Sequence, residues 1–112
     1  MDGFIAFLDG RIAEGKAEIS ALEADSRKDE ANFARVKVKI FGICKTVTQT
    51  LANRPGAGTE AVTAQFERFR AAWGEALEKA RRHGNADGAA VEEIKLAALE
   101  EVAARFREVT GA

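Results

Sequence analysis

The 112 residues carry 17 Lys and Arg against 18 Asp and Glu, a formal net charge of -1, which leaves no overall field to draw in nucleic acid, an anionic membrane or a basic partner. Charged residues make up 31% of the chain and apolar residues 46%, with one proline, the profile of a single helical domain that buries about two thirds of its unfolded surface. The lone Cys44 excludes an internal disulfide, and its neighbours Ile40, Phe41, Ile43 and Val47 suit a buried thiol in a reducing cytoplasm.

The chain opens Met-Asp-Gly-Phe-Ile-Ala-Phe-Leu-Asp, with no basic leader and an apolar run far too short for a signal peptide or membrane span. The expectation is a soluble, unprocessed, cytoplasmic protein. From there to Val47 the residues Ile5, Leu8, Ile12, Ile19, Leu22, Phe33, Val36, Ile40, Ile43 and Val47 fall on alternating three- and four-residue steps. Such a heptad seam specifies helix with one buried side.

Helix one is predicted over about residues 2–24, with Asp2 as N-cap and Phe4, Ile5, Leu8, Ile12, Gly15, Ile19 and Leu22 inward. Nearly opposite runs a stripe of small residues, Ala6, Gly10, Ala13, Ala17, Ala21 and Ala24, which admits close approach by another helix and is a candidate oligomer interface. Glycine in the inward arc at position 15 predicts a bulky neighbour packed over it, Trp73 or Phe66.

The seam keeps its phase across Asp25-Ser26-Arg27-Lys28-Asp29-Glu30, so one rod over residues 2–52, about 75 Å long and paired with a second chain, competes with a hairpin. Ser26 and Asp29 take the seam positions where a rod needs apolar residues, and both suit a helix cap. The hairpin is preferred. Helix two then spans about 28–52, burying Phe33, Val36, Ile40, Ile43, Cys44, Val47 and Leu51. Val38 and Phe41 fall outside that arc, which predicts more than one neighbour. Arg27, Lys28, Arg35, Lys39 and Lys45 share about a 120° arc beside the apolar face and form a candidate basic face.

Asn53-Arg54-Pro55-Gly56-Ala57-Gly58 is the clearest break. Thr59 is placed to cap helix three, about 59–83, whose inward face carries Val62, Phe66, Phe69, Trp73, Ala76, Leu77 and Ala80; its aromatics predict the bulkiest contribution to the core. After a turn at Asn85-Ala86-Asp87-Gly88, helix four runs from about 87 to 109 with Val91, Ile94, Ala98, Leu99, Val102, Phe106 and Val109 inward. Lys95 lies in that arc, its stem covered and its ammonium reaching water.

No residue set carries chemistry. His83 ends a helix with no acidic residue three positions before it, so carboxylate-histidine metal sites are unsupported. Cys44 has no histidine nearby and an apolar setting that raises a thiol's pKa. Gly56-Ala57-Gly58-Thr59 resembles an anion-binding helix start but lacks a phosphate loop's lysine and spacing. Glu92-Glu93 and Glu100-Glu101 are adjacent on helices and point apart.

Short connections make successive helices antiparallel neighbours. The expected fold is all-α, an antiparallel up-down-up-down four-helix bundle in one domain over residues 1–112. The alternative is the long dimeric coiled-coil helix followed by a helical hairpin. The expected function is protein–protein contact or homo-oligomerisation, as a homodimer, with no catalysis, cofactor, metal or membrane association. Two other readings are weighed: nucleic-acid binding through the basic face of helix two, and small-ligand binding near Trp73 or the Gly56–Thr59 helix start.

Overall fold

Helix forms wherever the chain keeps its three- and four-residue apolar steps, and it stops at three breaks. The computed structural model describes residues 1–111: α1 (Asp2–Ala24), α2 (Lys28–Leu51), α3 (Gly58–Arg82) and α4 (Ala86–Thr110). Each bound lies within one residue of that expected, and no strand occurs among the described residues.

The rod over residues 2–52 does not form, because the chain reverses at Asp25-Ser26-Arg27. Ser26 takes φ 59°, the left-handed region. Its N–H donates to the Glu23 carbonyl at 3.1 Å and that of Arg27 to the Leu22 carbonyl at 2.8 Å. These two bonds form a Schellman turn, which satisfies the last carbonyls of α1 and points the chain back along it. Ser26 thus ends α1 instead of capping α2, whose N-cap is Arg27 with no side-chain cap bond. The α3–α4 turn repeats the geometry with Gly84 at φ 65°, Gly84 N–H donating to Arg81 and Asn85 N–H to Ala80. Asn85 also caps α4, its Oδ1 accepting from Gly88 N–H at 2.9 Å. Neither Asp2 nor Thr59 caps a helix: each lies inside the first turn, and the N-caps are Met1 and Ala57.

Side-chain contacts fix the direction of each neighbour. Lys45 meets Asp9 at 2.6 Å and Arg35 meets Glu23, so α2 runs antiparallel to α1. Arg70–Glu100 and Arg81–Glu93 do the same for α3 and α4, and Phe4–Phe106 with Arg11–Glu101 for α1 and α4. The result is the antiparallel up-down-up-down bundle. Both α2 and α4 touch every other helix, whereas α1 and α3 do not meet, so two hairpins lie across one another with α2 against α4.

The bulky core sits at one end. Phe4 and Leu8 from the start of α1, Ile40, Phe41 and Cys44 from the second half of α2, Val62 and Phe66 from the start of α3, and Leu99, Val102 and Phe106 from the second half of α4 are all buried. Phe106 is their centre, edge-on to Phe4 at 5.2 Å and to Phe66 at 5.7 Å, the geometry aromatic quadrupoles favour. The second neighbour of α2 is also seen: Phe41 is buried and Val38 lies over Gly15. A Cβ at Gly15 would collide with Val38 Cγ2, so the bulky group over this glycine is Val38, from the adjacent helix, and neither Trp73 nor Phe66. Of the α3 aromatics only Phe66 is fully buried; Phe69 and Trp73 stack on each other at 4.9 Å at the core's margin. Val109, expected inward, is exposed in the last turn of α4.

Candidate functional site

Away from the Phe106 cluster no large side chain is fully buried. This open end holds the Ser26 and Gly84 turns, the second half of α1, the first halves of α2 and α4, and the end of α3. Within the first hairpin the small residues Gly15, Ala31 and Ala34 are buried and draw α1 and α2 together. Between the hairpins the apolar side chains here, Val36, Val91 and Ile94, are only partly buried, and charged side chains border them.

Phe33 marks the opening. It belongs to the seam of α2, yet it is 37% exposed. On one side it borders a cleft with Asp29, Asn32, Val36, Asp87 and Val91; on the other it borders a second cleft with Glu18, Glu30, Ala34, Lys37 and Ile94. Behind Val36 a narrower hollow reaches toward the core, lined by Lys39, Ile40, Ile43, Trp73, Val91 and Lys95. The apolar floor is therefore continuous from Phe33 to Trp73, with a rim of both charges.

Several charges on that rim stand unpaired among the described residues, as do Lys16, Arg54, Glu60, Glu75 and Arg107 elsewhere on the surface. Along the flanks of the bundle, other cations are paired: Arg11 with Glu14 and Glu101, Arg70 with Glu67 and Glu100, Arg81 with Glu78 and Glu93, Arg105 with Glu108. At the open end Glu18, Asp29, Asp87, Lys37 and Lys39 have no oppositely charged group within 4 Å among the described residues. Lys95 and Glu30 are the exceptions, Glu30 pairing with Arg27. The Lys95 ammonium lies 4.9 Å from the Trp73 ring centroid and 2.9 Å from Glu92 Oε1, so its head is held by a carboxylate and an indole face instead of reaching water. Glu92 Oε2 is shielded from solvent with no hydrogen-bond partner.

The residues singled out by the sequence fall in different places. Ala6, Gly10, Ala13, Ala17, Ala21 and Ala24 are all exposed along α1, and the space above Gly10 is open. The basic arc of α2 is divided. Arg27 pairs with Glu30, Arg35 with Glu23, and Lys45 with Asp9, while Lys39 turns to the Trp73 hollow. Three of the five cations are thus neutralised within the chain, which weakens the field they offer a phosphate backbone. The Gly56–Thr59 helix start is filled rather than cradle-shaped: Gly58 is buried, and a Cβ there would strike the carbonyl of Ala52. His83 is the exposed C-cap residue of α3.

Cys44 is fully buried, and desolvation pushes its thiol from 9.0 up to about 12, so a nucleophilic thiolate is disfavoured there. Among the described residues no group of three His, Cys, Asp or Glu side chains is placed to hold a metal ion, and no helix is long and apolar enough to cross a membrane. The sequence pointed to the arcs of α2 and α4 but not to the opening between them.

A comparison with protein-family models finds no match, and comparisons with curated proteins and with solved structures find none either.

Proposed function

We propose that this protein works by contact with another protein chain through the open end of the bundle, as a cytoplasmic homo-oligomer or interaction module without chemistry of its own. One observation carries the reading: the seam residue Phe33 stands exposed over an apolar floor formed by Val36, Val91 and Ile94. A large aromatic in a continuous apolar depression, ringed by charge, is the arrangement of an interface centre and its rim.

The test is affinity capture from the native host with tagged parent chain and tagged Phe33→Glu. The parent is expected to retain a specific protein, its own untagged copy or another, that Phe33→Glu loses. Identical captured sets from the two chains would reject the open end as the working surface.

A further inference from the structure

We infer that the hollow behind Val36, between α2, α3 and α4, binds a small monocarboxylate with an apolar body, its head at Lys39 and Lys95 and its body against Trp73. This is a small-molecule site, different in kind from the protein contact proposed at Phe33.

The walls select the body. Ile40 is only 1% exposed and yet lines this hollow, so the space reaches the core. Val36 and Ile43 continue the wall along α2, and Trp73 faces them from α3. The volume is about 230 Å³, smaller than the roughly 300–1,000 Å³ of pockets for drug-sized ligands. A short alkyl chain or a single ring suits such a space, and aliphatic and indole walls favour it by removing its apolar surface from water.

The charges select the head. No carboxylate lines this hollow, whereas Asp29 and Asp87 border one Phe33 cleft and Glu18 and Glu30 the other. Its two charged residues are Lys39 and Lys95. Lys39 is exposed, with no oppositely charged group within 4 Å among the described residues. Lys95 donates to Glu92 Oε1 and stands over the Trp73 ring, which leaves an ammonium with three N–H groups free to donate again. Glu92 offsets one of the two lysine charges, so one positive charge remains, and a singly charged anion matches it. A cationic ligand meets repulsion here. A phosphate brings more acceptor oxygens than two ammoniums satisfy, and a wholly apolar ligand takes water from Lys39 without replacing its hydrogen bonds.

Trp73 is the only tryptophan in the chain, so the single indole N–H resonance reports on this wall. The experiment is a nuclear magnetic resonance titration of the isotope-labelled chain with hexanoate, phenylacetate, hexanamide and hexylamine, each to about 10 mM, high enough to detect millimolar binding. At least one of the two acids is expected to shift the Trp73 indole resonance and the Ile40 and Ile43 amides saturably. Hexanamide should bind about tenfold more weakly than hexanoate, and hexylamine not at all. Lys39→Glu, which removes a side chain without a partner in the fold, should weaken acid binding by about tenfold or more at unchanged helix content, while Lys39→Arg should keep it within a few fold. No saturable shift with either acid overturns the site, as do saturable shifts confined to amides away from the hollow. Equal response to acid and amide, or undiminished binding by Lys39→Glu, overturns the carboxylate as its ligand.

Discussion

Ser26 and Gly84 hold the same place in two copies of one turn. Both take left-handed φ, 59° and 65°, and both are followed by an N–H that bonds back to the third-last helical carbonyl, Arg27 to Leu22 and Asn85 to Ala80 at 2.8 Å each. Glycine takes this conformation without a Cβ clash, whereas serine bears a cost of about 1 kcal/mol. Ser26→Gly is therefore expected to raise stability by about 0.5–1 kcal/mol in chemical denaturation, with an unchanged fold. No change, or a loss, would show that the Ser26 side chain contributes something the turn geometry does not. At this scale the sequence was half legible. Ser26 was read correctly as a break and wrongly as the cap of the following helix, because the same polar residue suits either role and only the direction of the bonds distinguishes them. Asn85 was read as turn alone, although its side chain caps α4.

Among elements, burial separates residues that periodicity treats alike. Phe33 and Phe106 both sit on predicted inward arcs, yet Phe106 is 1% exposed and Phe33 37%. The difference lies in what each helix half faces. Phe106 meets rings from α1 and α3, whereas Phe33 faces the gap between hairpins. Phe106→Ala should cost about 3–5 kcal/mol of stability, and Phe33→Ala at most about 1 kcal/mol at concentrations where the chain is monomeric. Equal losses, read from denaturation midpoints in dilute solution, would mean that the open end is as tightly closed as the core end. Helix bounds were legible because proline, glycine and breaks in the apolar period are local signals, although none of the residues read as N-caps, Asp2, Ser26 and Thr59, acts as one. Which half of each arc is buried was not, since it depends on how two hairpins cross, a property of pairs of elements that a single helix's pattern does not contain. Trp73 and Phe69 show the same limit: their spacing predicted the core, and they lie partly buried on its margin.

For the whole molecule, the uneven core implies uneven opening. With extents of 46 × 35 × 20 Å the bundle is two helices thick. Its densest contacts involve both the first and last helices, Phe4 against Phe106, so the core end can open only if the whole fold opens. The hairpin turns at the far end lack that constraint. Backbone amides next to Ser26 and Gly84 are thus expected to exchange hydrogen faster than those of Phe41, Cys44 and Val102, by local opening that leaves the core intact. Cys44 supplies an independent probe of the global event. Its thiol is raised from 9.0 to about 12 by burial, so below pH 9 both folded and unfolded states keep the proton and this group adds no pH dependence. As pH rises from 9 toward 12 the unfolded thiol ionises while the folded one resists, and stability falls. Measured against Cys44→Ala, which lacks the thiol, the parent should lose stability more steeply across that window. At pH 8 Cys44 should react with a thiol reagent no faster than the slowest amides exchange. Fast labelling of Cys44 in a chain whose core amides remain protected would place the opening at the Phe106 end, and with it the assignment of the Phe33 end as the free surface would fail.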